Sequence, residues 1–221
     1  MIKTLNFSRN TSKIMTVLAH SFDVETSSPT IGEGKLMSIG ACVLEIPNNG
    51  TVEVIDTFCE NIDWEGGLVF DHPKTEQFWK DNPDAFATCT KEVSPPSVVA
   101  GRLRDHIRAV QEIANKRKAK YVIVVDNAWF DVPWIDWFLS SFSAEALPLR
   151  HNYLTGWMSV ENVVDVNQRI RALRDIGLRV NVPPDIVEGA EHTPLTDAKC
   201  IAHKFAFYSR WSRGKRAELR K

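Results

Sequence analysis

The chain has 221 residues, 43% of them hydrophobic, and a formal charge of −1 from 27 Lys and Arg against 28 Asp and Glu. That length supports one domain with a substantial core, and the balanced charge excludes a global basic field of the kind that drives tight non-specific binding to polyanions. Cys42, Cys59, Cys89 and Cys200 show no C-x-x-C spacing, which excludes a disulfide scaffold or structural zinc site and leaves reduced, buried thiols as the expectation.

No apolar run reaches the length of a membrane span, the longest clean one being Tyr121 to Val125, so a soluble, intracellular, cytoplasmic protein is expected. Residues 1–13 read as a flexible N-terminal extension, 14–211 as a single domain and 212–221 as a basic tail.

Residues 14–24 form a mostly apolar run suited to a central strand. Strands are expected at 36–46 and 52–62, joined across Pro47-Asn48-Asn49-Gly50 as a hairpin. Pro73 to Lys80 predicts a short helix stopped by Asn82-Pro83. A longer helix runs from about Pro95 to Lys116, capped by Ser94, with an apolar stripe through Val98, Leu103, Ile107 and Val110. The β-branched run at 121–125 marks a buried strand. Helices are expected at 131–142 and about 159–175, and a last one from near Pro194 to about Trp211. These elements predict an α/β fold: a central mixed sheet, a three-strand antiparallel meander plus parallel strands, flanked by helices.

Basic side chains concentrate at Arg102, Arg104, Arg108, Lys116, Arg117, Lys118 and Lys120, and again in the tail from Arg210 to Lys221. Solvated helix faces are the simpler reading of both.

Three acidic blocks stand out: Phe22-Asp23-Val24-Glu25-Thr26, Asn127-Ala128-Trp129-Phe130-Asp131 and His192-Thr193-Pro194-Leu195-Thr196-Asp197. Asp23 and Glu25, two apart on a strand, point to the same face. Chance supplies about one D-x-E in such a chain, and Asp63-Trp64-Glu65 beside Gly66-Gly67 reads as a surface turn. Asp131 follows the buried strand, at the carboxyl end where ligands gather in open α/β sheets, although helix capping also explains an acid there. Asp126 could point into the same cleft, whereas Asp136 lies more than a turn down the helix.

His192 and Asp197 would differ by about 140° on one continuous helix, so the helix must start between them. Thr193 suits the N-cap and Pro194 the first helical position. Four carboxylates and one imidazole are then free to converge, the donor set that holds two divalent cations and activates water beside them.

In this order and on these elements, D-x-E, N-x-x-F-D and H-x4-D resemble the DEDD superfamily of 3′–5′ exonucleases, in its His-containing DEDDh (DnaQ-like) branch with a ribonuclease H-like fold. The resemblance spans about residues 16–208. Thr75-Glu76-Gln77-Phe78-Trp79 with Asn82-Pro83 also resembles a segment of phage exonuclease A and its bacterial exoribonuclease relatives. The first block departs from the common T-T-G continuation, reading Thr26-Ser27-Ser28-Pro29.

The resemblance implies that Asp23, Glu25, Asp131 and Asp197 ligate two Mg²⁺ or Mn²⁺ ions about 3.5–4 Å apart, with His192 as general base. It implies release of nucleoside 5′-monophosphates from single-stranded DNA, with RNA as the alternative substrate. Thr26, through its backbone, and Trp129, Phe130 and Trp79 are the expected substrate contacts, with Trp79 and Trp129 the candidates for stacking on bases. Core packing is the default for the tryptophans as a group, with Trp134 and Trp137 facing inward. A homodimer is compatible with the family. The intact five groups argue against a catalytically silent nucleic-acid-binding module, and the His192 block argues against an endonuclease of the ribonuclease H type.

Overall fold

The computed structural model describes residues 16–143, 163–175, 177, 178, 180 and 192–218, with side chains through 214. Strands β1 (Val17–Thr26), β2 (Leu36–Ile46) and β3 (Glu53–Ile62) build the expected antiparallel meander. Gly50, at φ 111°, takes the left-handed backbone of the turn between β2 and β3. Strand β5 (Lys120–Val125) runs parallel to β1, and β6 (Val163–Asp165) parallel to β5. A two-residue strand β4 (Val93–Ser94) closes the other edge. The order β4-β3-β2-β1-β5-β6 gives a six-stranded mixed sheet, with helices on both faces, as expected for a ribonuclease H-like fold.

Helices α3 (Pro96–Arg117) and α4 (Asp131–Phe142) cover one face. Leu103, Ile107, Trp134 and Phe138 pack there against Phe22, Val24, Ile39, Ala41 and Ile123. On the other face lie α5 (Val166–Asp175) and α6 (Pro194–Glu218), whose Ile170, Ala198, Ile201 and Phe205 meet Ala19, Cys42, Leu44, Val122 and Val124. The two parities of β1 are thereby divided: Phe22 and Val24 belong to the α3/α4 side, Ala19 to the α5/α6 side. A smaller cluster of Met37, Trp79, Ala85 and Cys89 lies beneath α1 (Pro73–Asp81) and α2 (Pro83–Thr90).

Several boundaries differ from the sequence-based expectation, each for a local reason. Pro83 ends α1 but also starts α2, because a proline is as suitable at the first helical position as it is disruptive inside a helix. Ser94 is drawn into β4, so Pro95 precedes α3 and no side chain caps that helix. Residues 163–165, expected as helix, pair with β5, and the helix begins only at Val166. There Asp165 Oδ1 accepts the Gln168 N–H at 2.7 Å, satisfying a free donor of the first turn. Helix α6 continues to Glu218 rather than ending near Trp211. Cys42 and Cys89 are buried as expected, but Cys59 is exposed on β3. The expected extension at 1–13 and the tip of the tail lie outside the described residues.

The basic run on α3 is matched by carboxylates. Arg102 pairs with Glu60 at 3.1 Å, Lys116 with Glu112 at 3.6 Å, and Arg117 with Glu45. No helix among the described residues is long and apolar enough to cross a membrane.

Candidate metal centre

Odd-numbered side chains of β1 face α6: Ser21 Oγ donates to Ala198 O at 2.6 Å. Asp23 and Glu25 continue that face toward the carboxyl end of the strand and the first turn of α6, where Asp197 waits. One ligand oxygen from each of Asp23, Glu25 and Asp197 lies within 4.8 Å of the others.

The close seating of α6 depends on a residue that motif reading passed over. Gly40 is the β2 partner of Asp23 in the sheet register. A Cβ on Gly40 would lie 2.1 Å from the Pro194 carbonyl carbon and 2.4 Å from Leu195 N. Only glycine lets the helix start rest on the sheet here. The start itself is as the sequence predicts: the Asp197 N–H donates to Thr193 O at 3.0 Å, placing Thr193 just ahead of the first turn.

Asp131 arrives from the end of β5 as the first residue of α4 and is 2% exposed. Its Oδ2 is buried and has no hydrogen-bond partner among the described residues, a costly state for a carboxylate oxygen unless a cation or proton satisfies it. Burial pushes its carboxyl up to about 8, Asp126 adds to the rise, and backbone hydrogen bonds from Asn127, Val24 and its own N–H oppose it. Glu25 is likewise pushed up to about 8, by burial first and then by Asp197 and Asp131. Asp23 is raised well above the carboxylate range by burial, then by Glu25, Asp131, Asp197 and Asp126. These mutual effects group all four expected acids and add Asp126.

Such a cluster cannot be fully ionised without positive charge. Hard oxygen donors on three separate elements, one of them orphaned and buried, fit hard divalent cations such as Mg²⁺ or Mn²⁺.

His192 precedes the helix in a left-handed conformation, φ 60°, uncommon for a residue with a side chain. Two contacts hold it. Phe78 of α1 meets its ring edge-on with centroids 4.8 Å apart, and the Cys89 thiol of α2 approaches its carbonyl at 4.0 Å. Burial and the negative charges of Glu25, Asp23 and Asp197 raise the Cys89 thiol, which stays protonated. Cys89 carries no recognisable motif, and Phe78 lies in the Thr75–Trp79 segment, but only the tertiary structure reveals that both meet His192.

The four expected substrate contacts divide. Trp129 is 83% exposed, on the loop between β5 and α4, and Phe130 beside it is half-buried against the core. Trp79 and Thr26 are 4% and 6% exposed and bind each other, the indole N–H donating to Thr26 O at 3.0 Å. Trp79 has Phe78 and Phe86 around it, so its faces are packed rather than open. The departure from T-T-G also gains a structural account. Thr26 Oγ1 donates to Ser28 O at 2.8 Å, and Ser27 Oγ accepts the Lys35 N–H at 2.9 Å, so this loop is stitched by hydroxyls.

No protein-family model matches the chain. No curated protein matches it either. Among solved structures, similarity is found to S. pombe Pop2p in its Mg²⁺- and Mn²⁺-bound form, at 12% identity over 85% of this chain and 81% of that one, with a TM-score of 0.49. A full-length 3′-exonuclease follows at 15% identity over 89% and 82%, with a TM-score of 0.44. Thermus thermophilus RuvC is similar at 14% identity over 89% and 96%, with a TM-score of 0.35.

Proposed function

We propose that the chain is a divalent-metal-dependent 3′–5′ exonuclease that hydrolyses single-stranded DNA to nucleoside 5′-monophosphates, with RNA as the alternative strand. The observation that carries this reading is the meeting of Asp23, Glu25 and Asp197 within 4.8 Å, together with a buried Asp131 oxygen that has no partner among the described residues. Asp23, Glu25, Asp131 and Asp197 are the residues that would hold the metal. Divalent cations bound there would supply activation of water and neutralisation of charge on the scissile phosphate.

His192 is the general base of this reading. Its ring stands at the mouth of α6, held by Phe78, and a neutral imidazole accepts the proton of the attacking water. Asp197 belongs to the rigid helix and His192 to the residue before its cap, so acid and base are anchored separately. Trp129 offers an exposed indole on which a base can stack, and Phe130 anchors the loop that carries it. Trp79 and Thr26 serve as support, fixing the end of β1 just beyond Glu25. The direction of attack, from a 3′ end, rests on the order and spacing of the three blocks.

The test is release of 5′-monophosphates from labelled DNA and RNA oligonucleotides with Mg²⁺ or Mn²⁺. An Asp131→Asn protein that retained full activity would refute the assignment.

A further inference from the structure

Beyond the metal centre, α5 and α6 form a half-open pocket of about 270 Å³ lined by Asn167, Ile170, Lys204 and the exposed Arg171 and Arg174. Three of these five residues are cations, in a chain whose overall charge is −1. On α1 and α3, Lys80, Arg102, Lys116 and Arg117 each meet a carboxylate. By contrast, among the described residues no carboxylate lies within ion-pair distance of Arg171, Arg174 or Lys204. Among the described residues the Arg174 guanidinium makes one long bond, to Val180 O at 3.5 Å. Concentrated positive charge in a concave site, with an amide beside it, matches an anion with several acceptor oxygens.

The cavity is tied to the metal centre by two elements. Lys204 follows Asp197 by two turns of α6, about 10 Å along the helix and nearly on the same face. Its charge reaches Asp126, which in turn acts on Asp131 and Asp23. Asp165, at the head of α5, accepts the Gln168 N–H with one oxygen and the Ala128 N–H, at 3.2 Å, with the other. One carboxylate thus pins the loop bearing Trp129 to the helix bearing Arg171 and Arg174.

We infer that this cavity binds a backbone phosphate of the substrate strand, a few nucleotides away from the bond being cut. The inference rests on the exonuclease reading for the identity of the ligand. It gives the enzyme a grip that short substrates cannot use and that reads no base. A neutral chain needs such a local contact, because it has no global field to hold a polyanion.

The test uses fluorescein-labelled single-stranded decanucleotides of DNA and RNA, and a labelled dinucleotide, titrated with the full chain by anisotropy in Mg²⁺. The Asp131→Asn background keeps the strands intact. Adding Arg171→Gln and Arg174→Gln should weaken decanucleotide binding about tenfold and flatten the salt dependence by roughly one to two ions. Dinucleotide affinity should stay level, and Arg171→Lys with Arg174→Lys should restore most of the lost binding. Unchanged decanucleotide affinity and salt slope would overturn the inference, as would an equal loss on the dinucleotide. Nucleotide release by the wild-type chain is assayed in parallel. Its absence would count against the exonuclease reading alone, whereas the anisotropy comparison counts for or against the phosphate site.

Discussion

Glu25 and Asp131 hold their protons up to about pH 8, because burial and neighbouring acids both oppose ionisation. Their folded pKa values exceed the unfolded values of about 4, so the metal-free fold binds more protons than the unfolded chain between those limits. Stability of the metal-free protein must therefore fall as pH rises through that window. His20 is buried, with its imidazole held well below the usual range, and works in the opposite direction, costing stability only as pH drops below about 6.5. Between pH 6.5 and 8 the carboxylates alone decide the slope of these two effects. A thermal-melt series in EDTA should show Tm declining across that interval, and Mn²⁺ should reverse the decline. A flat profile would mean that the acids do not crowd one another. Asp131→Asn removes one of the competing charges. It should raise the metal-free Tm above pH 7 while lowering metal-dependent turnover by more than roughly 100-fold, the upper range found for weaker changes around metal ligands. The acids themselves were legible in the sequence, since alternation on a strand fixes the common face of Asp23 and Glu25. The aromatic residues were not. Trp79 and Trp129 look alike in sequence, and only packing by Phe78 and Phe86 buries the first while the second remains 83% exposed.

The placement of α6 is what turns separate acids into a site. Gly40 lets Pro194 and Leu195 lie against β2, and Ser21 ties the next turn through Ala198 O. Gly40→Ala should cost about 1–3 kcal/mol, as overpacking usually does. Metal affinity should fall with it, because Asp197 moves away from Asp23; calorimetric Mn²⁺ titration checks this, and an unchanged affinity would show that α6 seats itself by other means. Cys89→Ala should leave the fold near wild-type stability but loosen His192, reducing turnover more than metal binding, as kinetics set beside the same titration would show. The helix start was readable from Thr193-Pro194 and the 140° mismatch between His192 and Asp197. The strand at 163–165 was not, because its residues become a strand only through pairing with β5. Nor was α2, since Asn82-Pro83 marks a break without saying that a second helix follows.

Across the molecule, the sheet gathers its acids at one end of neighbouring strands. Strand β1 supplies two of them, the adjacent parallel β5 leads to Asp131, and α6 crosses the same face to add Asp197. That convergence was foreseeable from the meander and the parallel strands, and the order of the blocks carried the rest. The roles of Gly40, Phe78 and Cys89 were not legible, because each acts by touching a distant segment. In the proposed function these four carboxylates and His192 form a metal-dependent active site working inward from a 3′ end. The most direct test follows a 5′-labelled single strand incubated with the chain and Mn²⁺, beside the Asp131→Asn protein and a circular strand of the same sequence. A 3′–5′ exonuclease should shorten the linear strand stepwise with mononucleotide release, do neither as the Asp131→Asn protein, and leave the circle intact. Cleavage of the circle, or undiminished shortening by Asp131→Asn, would contradict it.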